Sequence, residues 1–240
     1  MMKEAVFAGL LGRGVHVTDC RLASTPAMFM SIIFEDTAMD GAIMITASHL
    51  PYNRNGLKFF TENGGLEKKE VKEVLTLASQ SSAMAVSSAA IASLDLIDLY
   101  ALHLRRKICA GLCSGMYDRP LEGMHIVVDA GNGSGGFFAT KVLAELGADT
   151  TGSQFLEPDG MFPNHIPNPE NADAMALSAK LSSTTKPTWA HFRHRCGPHE
   201  RRPADGEEIN RNALIAMMAA ILAPDYPAAL SSPTRSHPTN

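Results

Sequence analysis

A serine and a histidine follow directly on an apolar run early in the chain. Residues 42–60 read AIMITASHLPYNRNGLKFF, so Ser48 and His49 come after the apolar residues and Lys58 comes after an Asn-Gly turn. Polar side chains at the carboxyl end of a strand lie where open α/β sheets bind their ligands. The pattern therefore predicts a reactive hydroxyl at Ser48, and the alternative is that Ser48 and His49 merely end a strand.

The residues around Ser48 do not fit a serine hydrolase. Hydrolases of the α/β class carry their nucleophile in a G-x-S-x-G turn, whereas the sequence here is T-A-S-H-L. His49 is the immediate neighbour of Ser48, and it cannot readily turn back to act as the base of its own neighbour. The chemistry expected at Ser48 is therefore not that of a Ser-His-Asp triad.

A glycine-rich turn occupies residues 131–136, which read GNGSGG and follow the apolar run MHIVVDA. The spacing matches G-x-G-x-x-G between a strand and a helix, as in a dinucleotide-binding turn, and Asp149 or Glu157 could be the acid expected further along. No G-K-[ST] follows, so a P-loop is excluded. The alternative is a tight turn with close packing of strand on helix.

Two histidine-containing segments could be metal sites. In residues 162–170, FPNHIPNPE, three prolines surround His165 and predict a rigid extended loop. The side chains of Asp159, His165 and Glu170 could bind a metal. The alternative is that this segment is a surface loop. Residues 191–202, HFRHRCGPHERR, contain three histidines and a cysteine. Their spacing does not match paired zinc ligands.

Composition limits the possible classes of protein. Of the 240 residues, 45% are apolar and 19% charged, which is typical of a globular chain. The net charge of −4 argues against nucleic acid or a polybasic membrane surface as partner. No apolar run approaches the roughly 20 residues of a membrane span, and the N-terminus does not resemble a signal peptide. The cysteines form no C-x-x-C pair and are expected to be free thiols in a cytoplasmic protein: Cys20, Cys109, Cys113 and Cys196.

Hydrophobic periodicity and capping residues predict an α/β protein with mixed sheets flanked by helices. Helices are expected at 3–11, 27–35, 65–79, 89–109 and 137–147, and strands at 15–20, 41–45 and 124–130. The strand, glycine turn and helix of the second half imply a parallel pairing with a crossover helix. The pattern breaks at 111–120, where a domain boundary is predicted.

Four long segments resemble the α-D-phosphohexomutases, the phosphoglucomutase/phosphomannomutase family. They are TASHLPYNRNGLKFF, DCRLASTPAMFM, VVDAGNGSGG and FLEPDGMFPNHIPNPEN. The first resembles the family's phosphoserine signature, usually TASHNP followed by NG and a lysine, with Leu50 in place of the asparagine. The resemblance covers residues 3–177 and again 204–227.

The resemblance implies a reaction for Ser48. It would carry a phosphoryl group and interconvert hexose 1-phosphate and hexose 6-phosphate through a bisphosphate, acting as an intramolecular phosphotransferase. His49 and Lys58 would supply charge or hydrogen bonds to the transferring oxygens. A Mg²⁺ ion would bind the phosphate on Ser48, and its other ligands in the family are the aspartates of a D-x-D-x-D-R loop. That loop is absent from the reading frame of this chain.

The genetic code offers an explanation for the missing aspartates. Degenerate back-translation of residues 191–200, read in another frame, permits IFDTDVDR, and the residues before them permit KADLG. We therefore expect residues 178–203 to be a frame-shifted translation that returns to frame at Ala204. The histidine cluster would then be an artefact.

The resemblance also divides the chain. Residues 1–115 would be a partial domain I with the phosphoserine loop, 120–227 would be domain II with an aberrant segment at 178–203, and 228–240 would be an aberrant tail. The start of domain I and the family's third and fourth domains are expected to be missing, so little mutase activity is expected. The alternatives are a non-catalytic remnant that binds sugar phosphate and a Rossmann-type oxidoreductase.

Overall fold

The structure is a computed structural model. It describes residues 2–48, 50–81, 90–113 and 118–166, with shorter pieces at 168, 171, 173–174, 176–177, 180–181, 189–192, 200–203, 216 and 220. The helices are α1 (Met2–Leu11), α2 (Thr25–Ile33), α3 (Lys68–Gln80), α4 (Leu96–Cys113) and α5 (Phe138–Leu143, of the π type). The strands are β1 (Thr18–Asp19), β2 (Ala42–Ile45), β3 (Leu57–Thr61), β4 (Gly64–Gly65), β5 (Ala92–Ser93), β6 (Ile126–Asp129), β7 (Trp189–Phe192) and β8 (Glu200–Pro203).

Local signals explain where the first helices begin. The hydroxyl of Ser24 accepts a hydrogen bond from the Ala27 N–H at 3.3 Å, and Pro26 lies in the first turn of α2. At α3, the Glu67 N–H donates to Glu70 Oε2 at 2.7 Å, which forms half of a capping box. The helices predicted at 27–35 and 65–79 are thus confirmed, with shifted ends.

The strands form three small sheets. β1 pairs with β5 in parallel, and β2, β3 and β4 form an antiparallel meander. β6 pairs with β7 in parallel, and β7 pairs with β8 antiparallel. The predicted mixed α/β architecture is confirmed, including the parallel pairing that follows the glycine turn. A cavity of about 320 Å³ separates β1 from β2.

Two predicted elements have different bounds. The strand expected at 15–20 is limited to the two residues of β1. The helix expected at 89–109 begins only at Leu96, because Ala92 and Ser93 pair with β1 before the helix starts. Local apolar character could not reveal this pairing, since its partner lies far away along the chain.

One core connects the two halves of the described chain. Tyr100 of α4 meets Phe137 edge to face, with ring centroids 6.1 Å apart, and Asp98 forms an ion pair with Lys141 of α5. The buried members of this core are Cys20, Ala23, Ala27, Leu96, Ile97, Tyr100, Ala101, Leu121, Ile126, Phe137, Val142, Leu146 and Ala148. The packing of α4 on α5 holds the sheet of β6 beside that of β1.

Candidate active site

The loop that carries Ser48 is closed at its neck by backbone hydrogen bonds. The Thr46 N–H donates to Gly56 O at 2.9 Å, and the Gly56 N–H donates to Thr46 O at 3.0 Å. These bonds continue the β2–β3 ladder, in which Ile45 lies opposite Leu57. The loop between them therefore projects from a rigid hairpin as a short, closed structure.

Ser48 adopts a left-handed backbone conformation, with φ of 56°. Its N–H donates to Thr46 Oγ1 at 3.0 Å, and the Thr46 residue itself is 4% exposed. Such a conformation costs a non-glycine residue about 1 kcal/mol and persists where the surroundings enforce it. Strained turns of this kind occur at functional sites, and the reactivity of Ser48 stays a prediction.

Lys58 lies on β3, opposite Met44 of β2, and its side chain is exposed. It is two residues beyond Gly56, so the hairpin ties it to the loop that carries Ser48. The third predicted member, His49, lies outside the described residues. The roles assigned to Ser48, His49 and Lys58 remain predictions.

The glycine turn at 131–136 packs against its own chain. A Cβ atom on Gly136 would lie 2.0 Å from the Leu156 carbonyl oxygen, so no other residue fits there without a shift of the backbone. The carboxylate of Asp149 accepts the Thr151 N–H at 2.9 Å, and the backbone carbonyl of Glu157 accepts from Asn132 at 2.9 Å. The geometry favours the interpretation as a tight packing turn over a dinucleotide-binding turn.

The side chain of His165 is buried, although the loop that carries it lies at the surface, with Met161 and Ile166 exposed. Its side chain is 2% exposed, and Nε2 lies 3.2 Å from Oδ1 of Asp129, which is 1% exposed. Asp159 instead accepts the Met161 N–H at 2.8 Å. Glu170 lies outside the described residues. The prolines correctly predicted a rigid loop, but the burial of the ring depends on a partner 36 residues away.

The electrostatics of His165 reflect this buried contact. Burial alone lowers the pKa of His165, but the hydrogen bond to Asp129, the hydrogen bond to Ile166 O and the charge of Asp129 together raise the pKa above its ordinary value. The sequence analysis did not identify Asp129 as a candidate residue. Asp129 ends the apolar run IVVD, just as Ser48 comes after the apolar run AIMI. That shared signal, a polar group at the end of a buried strand, could have found it.

No group of three histidine, cysteine, aspartate or glutamate side chains lies close enough to hold a metal ion within the part of the chain that the structure describes. Residues 193–199, which carry most of the histidine cluster, are outside that part. The described residues therefore do not by themselves fit a Mg²⁺ site. None of the helices that the structure describes is both long and apolar enough to cross a membrane.

A cavity of about 330 Å³ lies beside the glycine turn, where β1, α4 and α5 meet. Arg21, Asp95, Lys141 and Glu157 contribute charges of both signs to its lining. Arg21 donates through Nε to the Ser93 hydroxyl at 3.0 Å. The mixed lining does not select an anion or a cation.

Comparison with known proteins gives one consistent result. The sequence matches the family models for phosphoglucomutase/phosphomannomutase alpha/beta/alpha domain I over residues 1–83 and for domain II over residues 108–190. A phosphoglucosamine mutase of Ligilactobacillus salivarius is 33% identical over 179 residues, which are 73% of this chain and 38% of that protein. A phosphomannomutase/phosphoglucomutase of Pseudomonas putida is 26% identical over 185 residues, covering 77% of this chain and 37% of that protein.

A solved structure supports the same fold. The crystal structure of a phosphoglucomutase/phosphomannomutase family protein from Burkholderia thailandensis superposes with a TM-score of 0.73 at 22% identity. The match covers 90% of this chain and 46% of that one. The chain thus spans less than half the length of the relatives described here.

Proposed function

The chain belongs to the phosphoglucomutase/phosphomannomutase family, and we propose that it carries the phosphoryl-transfer half of a hexose phosphate mutase site. The observation that carries the proposal is the Ser48 loop. Ser48 follows β2, has a left-handed backbone, and lies in a loop whose neck is closed by Thr46 and Gly56. A single reactive hydroxyl on a fixed turn suits phosphoryl transfer, in which positioning and charge supply most of the catalysis.

The proposed cycle uses Ser48 as donor and acceptor. The bond between Ser48 Oγ and phosphorus breaks as a bond forms between phosphorus and a hydroxyl of the hexose phosphate. The proton released by the sugar hydroxyl ends on Ser48 Oγ, and the product is a hexose bisphosphate. After the bisphosphate turns over in the site, the reverse transfer moves its other phosphoryl group to Ser48, so that atoms and charge balance over the cycle.

Lys58 and His49 are proposed to stabilise charge on the transferring oxygens. Lys58 is exposed on β3 and is held in register with β2, so its ammonium group is available to an anion near the loop. A fixed cation at the site of developing negative charge lowers the barrier to transfer. A cytoplasmic location and a sugar phosphate as the partner molecule belong to the same proposal.

Mg²⁺ is proposed as the metal of this site, where it would neutralise charge on the phosphate of Ser48. The described residues do not provide the remaining ligands. The corrected reading of residues 191–200 would provide them. Its first aspartate is read across codons 193 and 194, just beyond β7, whose Phe192 pairs with Asp129 of β6. Carboxyl ends of parallel strands are where such ligands are expected.

Phosphorylation of Ser48 in the purified chain tests the proposal. We expect peptide mass spectrometry to find one phosphoryl group on Ser48, added or restored by incubation with a hexose bisphosphate. The Ser48→Ala variant should lack it. Ser79→Ala, the same change at an exposed position of α3, should leave the modification unchanged. Absence of phosphate on Ser48 under all these conditions would contradict the proposed function.

Turnover of hexose phosphate is tested separately from phosphorylation of Ser48. Because the described residues do not supply a group of side chains that could hold the metal, we expect little conversion of glucose 1-phosphate or mannose 1-phosphate by the 240-residue protein alone. Robust turnover that depends on Mg²⁺ would show that the described half of the site suffices. A phosphorylated Ser48 without turnover would separate a working phosphoserine loop from a complete mutase.

A further inference from the structure

The pair formed by His165 and Asp129 has no role in the phosphoryl transfer described above, yet it is the most thoroughly buried ion pair among the described residues. Both side chains are 2% exposed or less. The Asp129 carboxylate accepts the Gly131 N–H through Oδ1 at 2.9 Å and the Gln154 side-chain amide through Oδ2 at 2.9 Å. Three separate parts of the chain therefore meet at one carboxylate: the glycine turn, the 154 region and the 165 loop.

The hydrogen-bonding partners determine the protonation state of the pair. Each oxygen of Asp129 accepts an N–H, so both oxygens of the carboxyl group act as acceptors. The Nε2 atom of His165 faces that carboxylate, and Nδ1 faces the Ile166 carbonyl oxygen at 3.0 Å. A carbonyl and a carboxylate can only accept. Both ring nitrogens thus lie within hydrogen-bond distance of an acceptor, an arrangement that the doubly protonated imidazole satisfies.

The surroundings of the ring leave little space for another arrangement. The ring of Phe155 meets the His165 ring edge to face, with centroids 5.6 Å apart. A Cβ atom on Gly131 would lie 2.8 Å from His165 Cε1, and Gly131 has a φ of 53°. Among the described contacts of the ring, the titratable group is Asp129 of β6, and the loop contributes Phe155 and the Ile166 carbonyl.

We propose that His165, as a buried imidazolium, is a positioning residue that ties the loop at 155–166 to the carboxyl end of β6 and so fixes the glycine turn at 131–136. Loss of one ring proton leaves one of the two nitrogens facing an acceptor with no hydrogen to donate. The turn then loses its anchor while the rest of the core remains. The relevance of this edge to phosphoryl transfer rests on the proposed function, but the state of the pair does not.

Nuclear magnetic resonance of the ring nitrogens in the full chain tests the proposal without any variant. We expect both nitrogens of His165 to carry protons at pH values where His103, whose pKa is lowered by burial and by Lys107 and Arg106, is already neutral. The amide signals of Gly131 and Asn132 should shift with the same midpoint as the His165 ring. A neutral His165 ring at that pH, or amide shifts that follow another midpoint, would overturn the proposal.

Substitution of His165 distinguishes a positioning role of its ring from a role in packing alone. His165→Gln retains a donor for Asp129 but cannot donate at both ends, so we expect the pH-dependent step at Gly131 to disappear. His16→Gln, the same change at an exposed histidine, should leave that step in place. A stability loss in His165→Gln that is equal at every pH, with the Gly131 step retained, would mean that the ring only fills space. If His165→Gln does not fold, the unsubstituted chain still decides. Failure of Ser48 phosphorylation would leave all these outcomes unaffected.

Discussion

Thr46 and Gly56 exchange two backbone hydrogen bonds, of 2.9 and 3.0 Å, and thereby close the loop that carries Ser48. The approach of the two backbones is close, because a Cβ atom on Gly56 would lie 3.3 Å from the Thr46 carbonyl oxygen. The glycine of the Asn-Gly pair therefore does more than permit a turn. It sets the width of the neck from which the candidate nucleophile projects.

Gly56→Ala should destabilise the chain by about 1 kcal/mol, because the added methyl group presses on a backbone oxygen that is held by two hydrogen bonds. Chemical unfolding measures the change. Gly111→Ala is the matched control: Gly111 lies in α4 with nothing within 4 Å of an added Cβ. There alanine should stabilise by about 0.5–1 kcal/mol. Equal effects of the two changes would show that the neck is not tight.

Gly136→Ala should be far more damaging, since its Cβ would lie 2.0 Å from the Leu156 carbonyl oxygen. The backbone must move, and we expect a loss of more than about 3 kcal/mol or failure to fold. Gly160→Ala provides the comparison, because Gly160 is close in sequence but has open space around its added Cβ. Normal thermal unfolding of both variants would contradict the close packing of the turn.

The parts of the fold that were predicted correctly are those fixed by neighbouring residues. Ser24 and Pro26 predict the start of α2. Their effect is local, since the Ser24 hydroxyl accepts a hydrogen bond from the N–H of Ala27, only three residues further along. The strand expected at 41–45 is β2 within one residue, because an apolar run bounded by a glycine and by polar residues needs no distant partner to be recognised.

The parts that were missed depend on distant partners. Residues 89–95 look like the start of a helix, but Ala92 and Ser93 pair with Thr18 and Asp19 instead. His165 looked exposed because the prolines around it favour loops, and only Asp129 explains its burial. Local patterns could place Ser48 at a strand end, but its positive φ and its contact with Thr46 are tertiary facts.

Removing the cap of α2 should have a measurable cost. Ser24 is 4% exposed, and its hydroxyl accepts the Ala27 N–H. Ser24→Ala leaves that buried N–H without its acceptor, and we expect a loss of about 1 kcal/mol in the free energy of unfolding. Ser79→Ala, inside the exposed α3, should change stability by less than about 0.5 kcal/mol. A Ser24→Ala variant as stable as the parent would mean that the cap contributes nothing.

His103 and His165 should make the free energy of unfolding depend on pH with opposite signs. For His103, burial and then Lys107 and Arg106 lower the pKa, so the folded state binds fewer protons than the unfolded state. Its contribution is present above the unfolded pKa of a histidine and is lost as pH falls from that value through the lower folded pKa. For His165, the pKa is raised, so its contribution is present below the unfolded pKa and is lost as pH rises through the folded pKa.

Urea unfolding at pH values on either side of the ordinary histidine pKa measures both effects. His103→Gln should remove the part of stability that rises with pH, and His165→Gln the part that falls with pH. The difference between the pH profiles of stability of the two variants gives the sign of each histidine's contribution, even where the two contributions partly cancel in the parent. Profiles of the same slope for both variants would contradict the assignment.

The reading frame can be tested at the level of the gene. β7 and β8 lie inside residues 178–203, the segment expected to be frame-shifted, and β7 still pairs in parallel with β6. Resequencing across codons 175–206, and from codon 225 onward, should reveal single-base insertions or deletions. Correcting them should replace the histidine cluster by D-T-D-V-D-R. If the sequence is confirmed as it stands, the aspartate ligands are truly absent from this segment. Ser48 phosphorylation, if found, would then need charge neutralisation from Lys58 and His49 instead.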